Sequence, residues 1–506
     1  MRRLPLLRHT PLIAAILCGT SAAADVTAQQ VWDSWTTQME TFGQGFSTGG
    51  EEMSGDTLTV SDVRIEMTDD DVTVLADLGD IALTENGDGT VSISIPDSYP
   101  MTVKFTPEFE EPGTLIMTVR QSNMDIEVSG EPDAMQYDIS ADLYSFTADS
   151  LEGAAAQQVE LGQSALVMRD MAGTYSITEG EVNEVDYSFD LGALDIDVNF
   201  ADTGGSNSVS LAADMAELAM AATVAIPPDM DMDADVPPFI DGLAMTGGYT
   251  FGDVRYVFDI AADGENVSGT AVTEGGRMDF GFDYDGASYS GGAQGIDVSV
   301  SAPQELPFPI DVTMAKYGFD FAVPLSAGSG GPRDARLAFD FTDLSVSDGI
   351  WNLFDPAQTL PRDAITLALG LDLQITPFFD FLDPAQQEAM TGTDVPGELN
   401  AVTITDLTLR AAGAEITGDG AFTFDNTDVE TFDGFPRPEG EVNLAINGVN
   451  GLIDNLIEMG LIPQDQAMMP RMMLGMFATP VGDDMLTSTL GVNSEGHVLA
   501  NGQRLR

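Results

Sequence analysis

Apolar and polar residues alternate through most of this chain, and in three places the alternation breaks in the same wording. In residues 56–67, D-T-L-T-V-S-D-V-R-I-E-M, Leu58 and Val60 alternate with polar neighbours, and so do Val63, Ile65 and Met67. From Val60 to Val63 the step is three residues instead of two. A strand has period two, so an uncorrected slip of one residue turns its apolar set to the opposite face. One extra residue at Ser61–Asp62, a β-bulge, restores the phase. The same unit (apolar, Ser/Thr, Asp, apolar, any, apolar) returns at Phe341-Thr342-Asp343-Leu344-Ser345-Val346 and at Ile404-Thr405-Asp406-Leu407-Thr408-Leu409. All three read as bends in strands of a long antiparallel sheet.

The spacing predicts a helix over 27–42, opened by the capping box Thr27-Ala28-Gln29-Gln30 and carrying Trp32, Trp35, Met39 and Phe42 on one stripe. From 56 to 225, short alternating runs follow one another between turn signals such as Asn86-Gly87-Asp88-Gly89 and Pro112-Gly113. Residues 213–224, rich in alanine, fit strand or helix. The close turn spacing favours meanders over βαβ units. Residues 226–238, with two Pro-Pro pairs around an acidic tract, read as a linker or long loop. The string D-P-A-Q occurs at Asp355 and again at Asp383, each suited to start a short helix. Near the end, Leu452, Ile453, Leu456 and Ile457 form a helical stripe stopped at Gly460, and Gln464–Phe477 is a second helical stretch. A final hairpin is expected to turn at 493–496.

The expected fold is therefore mainly β: long curved antiparallel sheets with an N-terminal helix and a C-terminal helical pair. The expected layout is a signal peptide at 1–24, an amphipathic helical region at 25–50, and a first β region at 51–225. The linker at 226–238 follows, then a second β region with short helices at 239–440, and the helical pair with its hairpin at 441–506.

The first residues set the location. Arg2, Arg3 and Arg8 precede a short apolar run, and Ala22-Ala23-Ala24 precede acidic sequence at Asp25. This is the pattern of a secretory signal cleaved between Ala24 and Asp25. The apolar run falls short of the roughly 20 residues a bilayer span needs, and no later segment reaches that length. A periplasmic protein with no transmembrane span is expected. Cleavage removes Cys18, the only cysteine, so neither a disulfide nor a thiol nucleophile is available afterwards.

The charge is extreme: 83 Asp and Glu against 18 Lys and Arg, a formal net charge of −65. Lys104 and Lys316 are the only lysines. Nucleic-acid binding is excluded on these grounds, since phosphates require a basic surface. Apolar residues at 43% make the chain globular despite the charge.

The strings L-A-I-N-G-V-N-G-L-I-D-N-L-I-E-M-G-L-I-P and S-E-G-H-V-L-A-N-G-Q-R-L, with T-A-Q-Q-V-W-D-S-W near the start, resemble the secreted bacterial domain-of-unknown-function family 2125. More distantly, the β body is similar to AsmA-like envelope proteins, a likeness that implies lipid handling. Neither family supplies a motif from which functional residues can be transferred.

No catalytic set is read from the residues, and no cofactor is expected. Gly45-Phe46-Ser47-Thr48-Gly49 matches the nucleophile-elbow pattern, with His497 as the remaining histidine for a secreted hydrolase, but the elbow requires a strand before and a helix after. Asp229, Asp231, Asp233 and Asp235 alternate like a calcium loop, yet Ala234 and Ile240 stand where a glycine and a bidentate glutamate are needed. An acidic calcium-binding or structural envelope protein is thus a further alternative. Met469, Met472, Met473 and Met476 crowd one helical segment and are the candidate ligand-binding residues, either lining a site for a lipid or another apolar ligand or covering the end of the sheet as core. Thioether-bound Cu(I) is a third reading of the same cluster. The favoured expectation is a non-enzymatic envelope protein holding a lipid or other apolar ligand in a β groove.

Overall fold

The computed structural model describes residues 25–41, 45–69, 72–105, 112–227, 238–328, 330–389 and 395–506. The expected signal peptide at 1–24 with its cleavage residue Ala24, the expected helix-end residue Phe42 and the acidic tract of Asp229, Asp231, Asp233 and Asp235 lie outside the described residues. Among the described residues, 28 strands join in one sheet whose pairings are all antiparallel. The ladder passes from strand Ser208–Ile226 directly to Ala244–Phe251 and Val254–Ala262.

Each of the three bends expected from sequence is a register slip. Val60 pairs with Ile81 and Val63 with Gly79, so a three-residue step on one strand faces a two-residue step on the next. Phe341 and Leu344 face Leu367 and Ile365 in the same way. Leu407 and Ile404 face Leu369 and Leu371. Asp62 and Asp343 take left-handed φ values of 51° and 55°, a conformation that Asp tolerates better than most residues because its short side chain bonds locally.

Between these bulges the slip is shared by whole rows of strands. Apolar residues step by three at Ala141–Tyr144, Met168–Met171, Leu191–Leu194 and Met215–Leu218, and the steps stand in register. The line continues at Ala293–Ile296 and Met314–Tyr317. Left-handed residues Asp170, Glu217 and Gly295 mark it, with φ of 50°, 52° and 60°. Neighbours that slip together stay paired, so the sheet is creased along a line and keeps one set of side chains apolar on both sides.

That apolar face can be followed strand by strand. Leu407, Leu369, Phe339, Phe319, Gly291, Met278, Tyr249, Met220, Phe189, Gly173, Ile139 and Ile126 are successive cross-strand neighbours. At about 4.8 Å per strand the row runs roughly 50 Å. Glycines within it leave room for rings: a Cβ built at Gly173 would meet the Phe189 ring at 2.3 Å, and one at Gly276 the Phe251 ring at 2.4 Å. Aromatics thus lie flat on the sheet over facing glycines.

Helices cover the two ends of this face. α1, Ala28–Thr41, is capped as its sequence indicates: the Thr27 N–H donates to Gln30 Oε1 at 2.9 Å and the Gln30 N–H to Thr27 Oγ1 at 3.3 Å. Val31 and Trp32 are buried against Leu58, Val60, Ile81, Leu83 and Val91. Trp32 therefore sits in the core, and its indole N–H donates to Glu51 at 2.8 Å.

α2 (Asp348–Phe354) and α3 (Pro384–Ala389) are short. The second D-P-A-Q string opens α3, with Asp383 accepting from the Ala385 N–H at 2.9 Å. The first opens no helix. Asp355 follows α2 instead, fully buried, and its carboxylate accepts from the N–H groups of Thr359 and Leu360 at 3.0 and 2.9 Å. The same local sequence serves opposite helix ends because Trp351 and Arg362 pack around the first copy. α4 (Val449–Glu458) and α5 (Met468–Phe477) form the C-terminal pair. The final hairpin joins Met485–Val492 to Val498–Ala500.

Candidate functional site

The methionine cluster lies on α5, at the far end of the apolar face from α1. Strands Arg437–Asn447 and Met485–Val492 supply the floor, where Ile446 pairs with Leu486 and, on its other side, with Ile416. The row then passes through Leu409, Leu367, Phe341 and Tyr317, so the floor continues the face described above.

Two helices roof this floor. The Asp484 carboxylate accepts from the N–H groups of Asn450 and Gly451 at 3.1 and 2.9 Å and so fixes the start of α4. Partial burial pushes the Asp484 pKa up, but these hydrogen bonds and nearby Arg471 outweigh it and hold the group below its ordinary value. Arg471 of α5 binds Asp454 of α4 at 2.5 Å. The end of α5 is tied down where the Phe477 carbonyl accepts from Ser488 Oγ at 2.5 Å and from the Asn501 amide at 2.9 Å.

Between roof and floor lies a cavity of about 410 Å³, lined by Leu444, Ile446, Val449, Ile453, Met469, Pro470, Met473, Leu474, Phe477, Ala478, Ser488 and Leu490. Ser488 is its one polar side chain, and that hydroxyl is already engaged with Phe477. No charge faces the interior, so the chemistry it offers is apolar contact.

The four candidate methionines divide here. Met469 and Met473 line the cavity, whereas Met472 and Met476 do not. All of them, with Met468, are exposed, between 49% and 70%. α5 is thus not a sealed core helix, and its thioethers rim an opening. Sequence reading missed Pro470, Leu474 and Phe477 as lining residues. The inward stripe of α4 at Ile453 and the alternation of Leu444 with Ile446 were the available signals for the floor and the other helix.

Other candidate chemistry does not assemble. Ser47 stands in strand Gly45–Ser47, paired with Arg64, and strand Gly50–Ser54 follows it, so the turn from strand to helix that a nucleophile elbow needs is missing. His497 Nδ1 lies 3.1 Å from Glu495 in the terminal hairpin. Among the described residues no group of three or more His, Cys, Asp or Glu is placed to hold a metal ion. On the polar side of the crease, hollows of about 890 and 610 Å³ adjoin at Glu274. Two of their cations are paired, Lys316 with Asp340 at 2.8 Å and Arg336 with Asp320 at 2.6 Å.

The model of an uncharacterised protein family conserved in bacteria, domain-of-unknown-function family 2125, matches residues 267–501. The match takes in the cavity, α4, α5 and the aromatic half of the apolar face, and it bears out the resemblance noted from sequence. No curated protein matches the chain.

Proposed function

With residues 267–501 matching the model of domain-of-unknown-function family 2125, whose description assigns no activity, we propose that the protein holds a lipid or other apolar ligand, without catalysing a reaction, in the space beyond the inner membrane. One observation carries the reading. The apolar face is covered at its ends yet half open between them, and it runs without interruption into an apolar cavity whose rim is flexible methionine. Tyr249, Tyr289, Phe321, Leu367 and Leu409 on that face are each more than a third exposed. Soluble monomers rarely leave so long an apolar surface open unless something lies on it. The Met469 and Met473 side chains, with three rotatable bonds each, can adjust to an occupant of irregular shape.

The location rests on the opening segment and is part of the proposal: export, cleavage after Ala24, and a mature chain beginning at Asp25. Among the described residues no helix is long and apolar enough to cross a membrane.

The test is organic extraction of protein purified from a periplasmic extract, followed by mass spectrometry of the extract and of the intact chain. An acyl lipid in stoichiometric amount and a mass starting at Asp25 are expected. An extract free of apolar molecules, from protein that also fails to take up a fluorescent fatty acid, would leave a scaffold with no ligand.

A further inference from the structure

We propose that the outer rim of α5 is a thioether site for a soft monovalent cation, Cu(I), built from Met472, Met473 and Met476. At about 100° per residue, these three and Met469 fall within an arc of about 100°, so the four side chains leave the helix on one side. Residues three and four apart on a helix have Cβ atoms about 5–6 Å apart, which lets flexible Met side chains converge on one ion. Arg471 points away from that arc, because its guanidinium is drawn to Asp454 of α4, and it leaves no cation beside the patch.

Two further observations favour a ligand role over packing. The exposure of all five α5 methionines shows that the helix does not use them to fill a core. Leu474 and Phe477 supply the cavity's apolar wall together with Met469 and Met473, and Met472 and Met476 take no part in it. The donor set also suits only one kind of metal. Thioethers are soft and uncharged and select Cu(I) over the oxygen-preferring divalent ions. Within residues 25–506 there is no cysteine and His497 is the only histidine, so no stronger soft ligand competes. The site goes beyond the apolar-ligand reading and does not depend on it.

The experiment is a titration of the purified mature protein with Cu(I) under ascorbate, in competition with the chelator bicinchoninate, and in parallel with the triple variant M472L/M473L/M476L. Leucine keeps volume and apolar character and removes only the sulfur. One Cu(I) per chain is expected. Affinity should stay unchanged from about pH 5 to pH 8, since thioethers do not titrate there, and should fall at least about tenfold in the triple variant. Uptake of a fluorescent fatty acid should be unchanged in the double variant M472L/M476L, which leaves the cavity-lining Met473 in place and should itself weaken Cu(I) binding. Absence of Cu(I) binding, binding that the leucine variant retains, or binding that follows carboxylate titration would each overturn the proposal. If the triple variant does not fold, the single variants M472L and M476L carry the same comparison, because both side chains face solvent.

Discussion

Asp62 donates its backbone N–H to the carboxylate of Asp80 on the facing strand at 3.1 Å, at the point where the two strands slip by one residue. The bond satisfies the donor that a bulge takes out of the ladder, and Gly79 beside it absorbs the bend with φ of 73°. The slip keeps Val63 buried on the same face as Val60.

Deleting Asp62 should therefore cost far more than replacing it. Without the extra residue, Val63, Ile65 and Met67 turn to the polar face. Asp62→Gly, which keeps left-handed φ at no steric cost, should stay within about 0.5 kcal/mol of the parent, whereas Asp62→Val should lose about 1–3 kcal/mol. The deletion should exceed both. Urea unfolding monitored by tryptophan fluorescence reports it, since Trp32 packs against Val60 and Val63 in one cluster.

The glycines under the rings give a second expectation. At Gly276 an added Cβ would lie 2.4 Å from the Phe251 ring and 2.5 Å from the Gly292 carbonyl, and the carbonyl cannot yield. Gly276→Ala should destabilise by about 1–3 kcal/mol. Gly331 has nothing within 4 Å of such a Cβ, and Gly331→Ala should be silent in the same thermal scan.

Acid should loosen the loop before α3. The Asp380 carboxylate accepts from the Ala327 N–H at 2.7 Å and from the Gln386 amide at 3.0 Å. The Ala327 bond foremost, helped by Gln386 and Tyr284, holds its pKa below the ordinary 3.8 against the opposing effect of burial. A depressed carboxylate contributes stability that is fully present above its unfolded value and lost as pH falls through the lower folded value. Proteolysis of this loop should accelerate below about pH 4 in the parent, and Asp380→Asn should show a flatter pH dependence.

The cavity rim should tolerate charge in the fold but not in binding. Met473 is half exposed, so Met473→Glu should change stability by no more than about 0.5 kcal/mol. A carboxylate at the mouth would have to lose its water beside an acyl chain, so uptake of a fluorescent fatty acid should drop by about tenfold or more.

Much of this architecture was legible in the chain. The three Ser/Thr-Asp units gave away their bulges because each pairs an apolar step of three with a residue suited to left-handed φ. The same crease at Met168–Met171, Leu191–Leu194 and Met215–Leu218 went unread. There the turn-forming position is Asp170 or Glu217 in varied surroundings, and neighbouring strands slip together, which no single strand reveals. Residues 213–224 looked helical as readily as extended because alanine favours helices. They are strand because Ala222 must fit beneath Gly247, where a Cβ would stand 2.4 Å away. The α5 cluster was visible as a run of methionines, but its split between cavity and solvent depends on Arg471 and Phe477 fixing the helix rotation.

The central claim is that one oily face, carried past the crease without changing sides, holds an acyl chain. Single cysteines at Phe321 and Val312, on one strand but on opposite sides of the slip at Met314–Tyr317, can be labelled with a fluorophore in a chain that starts at Asp25 and so lacks Cys18, the only cysteine, with Asp320 and Asp311 as partners on the polar side. Quenching by a doxyl-labelled fatty acid should reach labels at 321 and 312 and spare those at 320 and 311. Quenching at 321 and 311 together, or at none of the four, would contradict the account.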